Sequence, residues 1–244
     1  MISFFQKKTF FVDLLEGFTD FHNHLLPGID DGAANPEASL EMIEKFRKFG
    51  VKRFVCTPHV MGEYYPNTRE TIGNALEKLK SVLPSEIEIS AAGEYMMDQH
   101  LMDSLEEGEK MLPITGNNVL VEMSYFQAPI NLKEILFKIL TSGHKPILAH
   151  PERYAYYHSK NLEKYKDLKG RGCSFQMNML SLTPHYGSGM QKAANQLLDA
   201  GMIDFISSDA HRLEHLEKLE KIKLNKKQVQ LIEPVIEKSK ALFN

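Results

Sequence analysis

Two histidines and three carboxylates lie close together near the start of the chain, around a Pro-Gly turn in the stretch TDFHNHLLPGIDDGA (19–33). Imidazole and carboxylate groups are common metal ligands in proteins. His22 and His24 are two positions apart, so on a β-strand their side chains project from the same face. An H-x-H pair alone is a weak signal of metal binding. Its meaning therefore depends on what the rest of the chain places beside it.

The loop after the two histidines carries further candidate ligands. Asp30 or Asp31 can turn back toward the strand, and Gly32 permits a backbone angle that other residues avoid. Asp20 has the same parity as the histidines, so we expect it to hold one imidazole ring from behind. The stretch thus has the composition of one corner of a metal site.

Similar side chains follow or end the later apolar runs. In chain order they are His59, Glu94, Glu122, His150, Asn178, Asp209 and His211, with Arg153 shortly after His150. Each has a plain structural reading; Glu94, for example, can be an ordinary carboxylate in the first turn of a helix. Glu122 is harder to explain in this way, because a charge within the run VLVEMS is costly to bury without a partner. Ligand types at nearly every predicted strand end together indicate a metal site.

The types and number of these ligands limit the chemistry. The set contains imidazoles and carboxylates without cysteine, which suits Mn²⁺, Fe²⁺ or catalytic Zn²⁺ rather than a structural zinc. At least eight candidates are too many for one ion, so two or three ions that share bridging carboxylates are the economical solution. Clustered ions commonly activate water and stabilise charge on oxygens in phosphoester hydrolysis. The sequence therefore favours a multi-metal site, and phosphoester hydrolysis is one reaction that such a site commonly serves.

The elements that must position these residues alternate between short apolar runs and helical patterns. The predicted strands lie near 17–24, 51–57, 86–92, 118–124, 145–150, 173–178 and 202–208. The predicted helices lie near 35–50, 68–82, 95–106, 130–142, 161–169, 189–200 and 226–242. About seven βα units predict a parallel sheet with helices outside. A closed or nearly closed barrel, whose strand ends meet at one mouth, is the simplest form, and a doubly wound open sheet is the alternative.

Length and composition bound the class of protein. A chain of 244 residues suits one α/β domain over 1–244, and we expect residues 1–16 to form an amphipathic arm packed on it. The net charge of −3 implies no basic surface for nucleic acid, and no stretch approaches the ~20 apolar residues of a membrane helix. Cys56 and Cys173 lie in apolar runs, which favours reduced thiols and a cytoplasmic location. Neither belongs to the C-x₅-R loop of cysteine-dependent phosphatases.

The motifs occur in the order of a known group of proteins. D-F-H-N-H, T-P-H, G-E, V-E, A-H-P-E-R and S-D-A-H follow one another as in the PHP (polymerase and histidinol phosphatase) superfamily. The chain most closely resembles the bacterial capsule and exopolysaccharide protein-tyrosine phosphatases, through H-x-H-x-L-P-G-x-D-D-G-A, T-P-H and H-P-E-R-Y. The likeness spans about 18–212, most of the chain. It is specific for the superfamily and less specific for the substrate.

The resemblance implies a distorted (β/α)₇ barrel with three metal ions, usually manganese, with Fe²⁺ or Zn²⁺ as alternatives. One ion would take His22, His24, Glu94 and Asp209, a second Glu94, Glu122 and His150, and the third Asp31, His59 and His211. Arg153 would bind the substrate phosphate. Some relatives use another arginine after the last motif, and Arg212 is the candidate for that position here.

The activity implied by the resemblance is a metal-dependent protein-tyrosine phosphatase, acting on a bacterial tyrosine kinase with a tyrosine-rich tail that controls polysaccharide export. Tyrosine leaves with a pKa near ~10, so a strong general acid is not essential, and His24 or a water would donate the proton. Tyr64 and Tyr65 either flank an aryl phosphate or simply cap the mouth.

Two other functions are compatible with the motifs. A small-molecule phosphomonoesterase such as histidinol-phosphate phosphatase would use the same ions with a pocket for a small alcohol. A non-catalytic, metal-bound regulatory module is the third hypothesis. The intact ligand set argues against it, because a degenerate module need not retain one.

Overall fold

The computed structural model describes residues 9–243 of the chain. The strands are β1 (Thr9–Phe10), β2 (Thr19–Asp20), β3 (Arg53–Cys56), β4 (His59–Val60), β5 (Glu88–Ala91), β6 (Glu94–Met96), β7 (Asn118–Glu122), β8 (Lys145–Ala149), β9 (Ser174–Asn178), β10 (Phe205–Ser207) and β11 (Lys223–Leu224). The helices are α1 (Pro36–Arg47), α2 (Arg69–Lys80), α3 (Gln99–Glu106), α4 (Leu132–Thr141), α5 (Glu163–Gly170), α6 (Ser188–Asp199), α7 (Leu213–Leu219) and α8 (Lys226–Ala241). Each of these helices follows a strand, which is the alternation predicted from the apolar runs.

Two parallel sheets form the centre of the fold. The larger sheet has the strand order β10-β9-β8-β7-β6-β4, and the smaller has the order β2-β3-β5. Every strand pair within these two sheets is parallel. The prediction of an α/β protein built on parallel strands is therefore confirmed. A consequence is that the C-terminal ends of the strands lie on the same side of each sheet.

Backbone contacts connect the two sheets at both ends of the strand order. On one side, β3 and β5 continue after short breaks into β4 and β6, and Glu94 N donates to Pro58 O at 2.9 Å. On the other side, Asn23 and Ala210 form a parallel bridge between the chain after β2 and the chain after β10. Glu94 therefore lies at one junction, and Asn23, between His22 and His24, lies at the other.

The first predicted strand is shorter than expected. The apolar run suggested a strand over 17–24, but only Thr19–Asp20 pairs as β2. Beyond it, the backbone N–H groups of Phe21 and His22 donate to Ser207 Oγ, at 3.1 and 2.9 Å. A side chain thus replaces a neighbouring strand at the point where the histidines begin.

Helix α1 forms as its end signals predict. The side chain of Asn35 accepts a hydrogen bond from Ala38 N at 2.9 Å, and Pro36 occupies the first helical position. Gly50 lies beyond the end of the helix with φ of +80°, a conformation that favours glycine. The buried face, which includes Met42 and Phe46, packs into the core.

The helix predicted near 95–106 begins later, at Gln99. Glu94–Met96 instead form β6, which pairs with β7 in the larger sheet. Asp98 then caps the helix by accepting a hydrogen bond from Leu101 N at 2.9 Å. The sequence pattern failed here because a three-residue strand is too short to show its own periodicity.

Helix α7 was not predicted. It has only seven residues and lies between β10 and β11. It buries Leu216 and Leu219, which hold it against the body of the protein.

The predicted N-terminal arm is partly described. Residues 1–8 lie outside the described residues, and Thr9–Phe10 pair in antiparallel fashion with Lys223–Leu224. Phe11 and Leu15 are completely buried. Among the described residues, every helix is too short or too polar to cross a membrane.

The carboxylate of Asp204, which directly precedes β10, links β9, α5 and α8. We predict that Asp204→Asn destabilises the protein by about 1–2 kcal/mol at neutral pH. Asp204 accepts hydrogen bonds from Phe175 N (2.8 Å), from Lys238 (2.7 Å) and from Lys169. Chemical unfolding of the two proteins would measure the difference. Asp199→Asn, which removes an exposed pair with Lys227, is the control and should change the free energy of unfolding little.

The effect of Asp204 should depend on pH. Burial favours its protonated form, but the hydrogen bonds from Lys169 and Lys238 outweigh burial and lower its pKa. The stabilisation is therefore present above the ordinary aspartate pKa of about 3.9 and is lost as the pH falls through the lower pKa of the folded state. A difference between wild type and Asp204→Asn that stays constant down to the acid transition would contradict this account.

Candidate metal centre

The structure brings all nine predicted metal ligands to one place at the C-terminal ends of the strands, which we call the mouth. They are His22, His24, Asp31, His59, Glu94, Glu122, His150, Asp209 and His211. Their donor atoms form four overlapping groups, and within each group the atoms lie within 4.8 Å of one another. Asp31 is exposed and His211 is half-buried, while the others are buried. Residues that are far apart in the sequence therefore share one small volume.

The first group centres on two histidines and two carboxylates. His22 Nε2 lies 3.1 Å from Glu94 Oε1 and 3.3 Å from Asp209 Oδ1. His24 Nε2 lies 3.5 Å from Glu94 Oε2 and 3.4 Å from the same oxygen of Asp209. Both imidazoles thus direct Nε2 at the same pair of carboxylates, which is the set that the resemblance implies for one ion.

The second group lies on the other side of Glu94. His150 Nε2 is 3.1 Å from Glu94 Oε1 and 3.8 Å from Glu122 Oε2. His59 Nδ1 also approaches, at 2.9 Å from Glu122 Oε1 and 3.1 Å from Glu94 Oε2. Glu94 therefore lies between the first and second groups, as a bridging carboxylate would. The contact of His59 with this group was not predicted.

The third group is the most open. His59 Nε2 and His211 Nε2 each lie 3.4 Å from Asp31 Oδ1. The rings of His24 and His211 stack with their centroids 3.8 Å apart. The aspartate that faces this group is thus Asp31, and His59 offers one ring nitrogen to each of two groups.

Hydrogen bonds from behind orient the two histidines of the first motif. His22 Nδ1 lies 2.7 Å from Gln176 Oε1, and the amide nitrogen of Gln176 donates to Asn178 Oδ1, which fixes the direction of the amide. His24 Nδ1 lies 2.7 Å from Asp30 Oδ2. With a proton on each Nδ1, both Nε2 atoms present a lone pair to the mouth.

The expectation that Asp20 holds a histidine ring is wrong. Its carboxylate accepts hydrogen bonds from Ser207 Oγ (2.7 Å), Ser208 N (2.9 Å) and Ser208 Oγ (2.7 Å). Burial raises the pKa of Asp20 despite these hydrogen bonds. Asp20 therefore ties β2 to the end of β10, and Gln176 and Asp30 hold the rings in its place.

Gly32 is required for a reason other than the one expected. Its φ is not in the left-handed region, but a Cβ atom there would lie 2.2 Å from His24 O and 2.4 Å from His24 Cβ. Ala33 N also donates to His24 O at 3.0 Å. The loop that carries Asp30 and Asp31 thus passes directly against the histidine backbone, and only glycine permits that approach.

The cluster lowers the pKa of two of its buried carboxylates, Glu94 and Asp209. Burial favours the neutral form of Glu94, but the charges of His22 and His59 outweigh it and hold the pKa well below its usual range. Burial is likewise outweighed at Asp209, where nearby histidines keep the pKa well below normal. For His59, the adjacent glutamates raise the pKa well above its usual value in spite of burial. The buried carboxylates at the mouth therefore require positive charge beside them.

Several buried atoms of the cluster lie close to one another, as His59 Nδ1 and Glu122 Oε1 do at 2.9 Å, but lack the alignment of a hydrogen bond and have no hydrogen-bond partner among the described residues. They are Nε2 of His22, Nε2 of His24, Nδ1 of His59, Oε2 of Glu94 and both carboxylate oxygens of Glu122. Buried polar atoms without a partner are costly and rare in folded proteins. Imidazole nitrogens and carboxylate oxygens that converge in this way suit divalent metal ions. The donor set thus fits the metal-binding role expected from the sequence.

The remaining predicted residues differ in their placement. Arg153 lies at the mouth, with Nη1 3.0 Å from Asp209 Oδ2. Tyr65 stacks on His59 with ring centroids 5.6 Å apart, whereas Tyr64 is 76% exposed. Arg212 directly precedes α7, has an exposed side chain and forms no ion pair with any described residue. Arg153 and Tyr65 therefore adjoin the ligand cluster directly.

Sequence reasoning missed three residues that contact this cluster or Arg153. Gln176 contacts His22, and the rings of Tyr125 and Tyr186 lie over the guanidinium of Arg153. Gln176 could have been found, because it is two positions before the strand-end residue Asn178 and shares its face. The two tyrosines carry no local signal.

The family of the chain follows from comparison with known proteins. Residues 18–231 match the family model described as capsular polysaccharide synthesis, CpsB/CapC. The chain belongs to the CpsB/CapC family. CapC of Staphylococcus aureus is 30% identical over 199 residues, which cover 80% of this chain and 77% of that protein. The predicted resemblance is thus confirmed.

Other relatives of the CpsB/CapC family carry names that state an activity. Tyrosine-protein phosphatase YwqE of Bacillus subtilis is 25% identical over 198 residues, covering 80% of this chain and 78% of that protein. Tyrosine-protein phosphatase CpsB of Streptococcus pneumoniae is 26% identical over 206 residues, covering 80% and 83%.

Solved structures support the same fold. A crystal structure described as that of YwqE from B. subtilis and CpsB from S. pneumoniae, metal-dependent tyrosine phosphatases, matches with a TM-score of 0.75. It is 24% identical and covers 92% of this chain and 93% of that chain. Histidinol phosphate phosphatase of Lactococcus lactis matches with a TM-score of 0.53 at 12% identity, over 83% of this chain and 90% of that chain. At these identities the likeness concerns the fold alone.

We predict that Gly32→Ala weakens binding of Mn²⁺ at least about tenfold, because the added Cβ displaces the loop that carries Asp30 and Asp31. Titration calorimetry with Mn²⁺ would measure the change. The control is Gly73→Ala in α2, where nothing lies within 4 Å of the added Cβ and the helix should gain stability. Unchanged affinity in the Gly32 variant would show that the loop does not shape the site.

Proposed function

We propose that the protein is a metal-dependent protein-tyrosine phosphatase. The observation that carries the proposal is the convergence of nine imidazole and carboxylate side chains on one mouth, beside an arginine. The names of the relatives YwqE and CpsB support the same activity. The phosphotyrosine would belong to a protein, and we propose the tail of a bacterial tyrosine kinase that regulates capsule or exopolysaccharide synthesis.

We also propose that the two sheets together form a distorted (β/α)₇ barrel. The backbone contacts at both junctions between the sheets support a nearly closed ring of strands. Three ions are proposed, with manganese favoured over Fe²⁺ or Zn²⁺. Nine candidate ligands in four overlapping groups are too many for one ion, and the two carboxylate oxygens of Glu94 allow it to serve two neighbouring ions.

When bound, divalent ions would activate a water molecule and neutralise charge on the phosphoryl oxygens. The chain's own task is to position the phosphate. Arg153 has one N–H engaged with Asp209, and the rest of its planar fork remains to donate to phosphoryl oxygens as charge develops. Arg212 is proposed as a second phosphate contact. Tyr65, which stacks on His59, is proposed to flank the aryl ring together with Tyr64.

His24 has two proposed roles, as a ligand and as a proton donor. Its Nδ1 bonds to Asp30 and its Nε2 faces Glu94 and Asp209, so the ligand role occupies both ring nitrogens. We therefore assign His24 to metal binding. A tyrosinate with a pKa of about 10 leaves readily enough to take its proton from water.

Substrate preference tests the proposed function. Purified protein with Mn²⁺ should hydrolyse phosphotyrosine peptides with a kcat/KM at least about tenfold higher than histidinol phosphate, because Tyr65 beside His59 is proposed to flank an aryl ring. Phosphate release from the two substrates would be compared in parallel. The reverse preference would favour a small-molecule phosphatase, and no hydrolysis of either substrate by metal-loaded protein would favour a regulatory module.

The third ligand group has its own test. His59→Ala should lower the metal content by about one of the three proposed ions and the phosphatase activity by more than about tenfold, because His59 contributes to two groups. Metal content would be measured by inductively coupled plasma mass spectrometry on the same samples. His100→Ala, on the exposed first turn of α3, is the matched control and should keep both. Full activity of His59→Ala would refute the assignment of this group.

A further inference from the structure

The guanidinium of Arg153 lies between two aromatic rings. Its Cζ atom is 4.4 Å from the ring centroid of Tyr125 and 4.3 Å from that of Tyr186. Tyr125 lies in the segment after β7, and Tyr186 lies between β9 and α6, so the rings come from separate parts of the chain. Arginine stacks well on aromatic faces because its charge is delocalised over a plane.

Each ring is held in place by the ligand cluster or its neighbours. The Tyr186 hydroxyl accepts a hydrogen bond from Asn178 Nδ2 at 3.4 Å, and the same amide donates to Asp209 Oδ2 at 2.5 Å. The Tyr125 hydroxyl lies 3.5 Å from His150 Nε2, and its ring stacks near that of Tyr154 at 6.1 Å. Both rings are therefore tied to the side of the mouth that carries Arg153.

The backbone below the arginine is fixed as well. Glu152 is fully buried, and its Oε1 accepts hydrogen bonds from Asn178 N at 2.9 Å and from Ser181 Oγ at 2.7 Å. These contacts join the turn that carries Arg153 to the segment that leads to Tyr186. The spacing between the arginine and this ring thus does not depend on the stacking contact alone.

Two rings over one guanidinium limit how it can bind an anion. Two ring centroids lie within 4.4 Å of Cζ and Nη1 is held by Asp209, so the side chain has little freedom to turn and its remaining N–H groups keep one orientation. A phosphoryl group can then be met by a fork of fixed orientation, without the side chain having to lose its freedom on binding. A lysine at this position would have neither a planar charged group nor paired N–H donors of fixed geometry.

We propose that Tyr125 and Tyr186 are positioning residues, which clamp Arg153 in the one plane from which it binds the substrate phosphoryl group. The inference rests on the proposed function, because it takes Arg153 as the phosphate ligand. The rings act through their faces, and their hydroxyl groups serve only to hold the rings.

Phosphate binding by the Mn²⁺-loaded full-length protein tests the clamp without catalysis. Inorganic phosphate is titrated calorimetrically into the wild type and into the variants Tyr125→Leu, Tyr186→Leu, Tyr125→Phe and Tyr186→Phe. Each leucine variant should bind phosphate about tenfold more weakly, and each phenylalanine variant should restore affinity to within about threefold of wild type. Phe137→Leu, an exposed aromatic change on α4, is the control and should leave affinity unchanged.

A double-mutant cycle shows whether the rings act through the arginine. Arg153→Ala should weaken phosphate binding about thirtyfold in the wild type but less than about threefold in the Tyr125→Leu, Tyr186→Leu background. Modification of Arg153 by phenylglyoxal, measured against exposed Arg212 in the same sample, should become at least about threefold faster in the leucine variants. A purely structural role of the rings would alter thermal stability and produce neither effect.

Failure of the clamp and failure of the proposed function are distinguishable. Leucine variants that bind phosphate as tightly as wild type, while Arg153→Ala does not, would overturn the clamp and leave the phosphatase assignment intact. An equal loss in the phenylalanine and leucine variants would also overturn it, because the hydroxyl groups and not the ring faces would then be responsible. Wild-type protein that binds phosphate with this pattern but hydrolyses no phosphomonoester would support the clamp and overturn the proposed function.

Discussion

Three buried carboxylates in one small volume set the terms for the rest of the structure. Glu94 and Glu122 are fully buried and Asp209 is 2% exposed, yet all three lie in the same cluster of donor atoms. Carboxylates this close to one another disfavour each other's charge unless positive charge lies between them. Despite burial, carboxylates nearby raise the pKa of His22, His24 and His59, which therefore supply that charge in a metal-free protein, and bound divalent ions would replace it. The residues behind the cluster therefore have one shared task, to keep the donor atoms apart and aimed inward.

The backbone is strained at two of the places where this task is hardest. His150 and Asp209 adopt positive φ angles of 35° and 52°. A residue other than glycine pays about 1–2 kcal/mol of free energy to adopt this region. The turn at His150 allows the imidazole and Arg153 to reach the mouth from positions only three apart. The turn at Asp209 allows one carboxylate to face His22 and Arg153 together. Two of the three residues other than glycine with positive φ in the described part of the chain thus lie at turns on which two contacts of the site depend; the third, Leu162, precedes α5.

The arrangement of parallel strands with helices and the convergence of nine candidate ligands could be predicted because both rest on local pattern. Apolar runs alternating with helices place strand ends, and the parity of His22 and His24 is visible within three residues. Contacts between residues far apart in the sequence could not be predicted. Gln176 meets His22 across a sequence separation of 154 residues, and Asp20 bonds to serines near the other end of the domain rather than to its histidine neighbours. Gly32 was singled out correctly but for the wrong reason, since close packing against His24 is invisible in the sequence.

The hydrogen bond from Ser207 to Asp20 joins residues 187 positions apart, and the bridge between Asn23 and Ala210 lies beside it. Closing so long a segment costs more chain entropy than pairing adjacent βα units, so these contacts form late in folding. His22 and His24 come from one end of that closure and Asp209 and His211 from the other. A metal ion in a group that draws ligands from both ends therefore requires this closure first. It would act on the finished structure, chiefly by slowing the rate at which the two ends separate again.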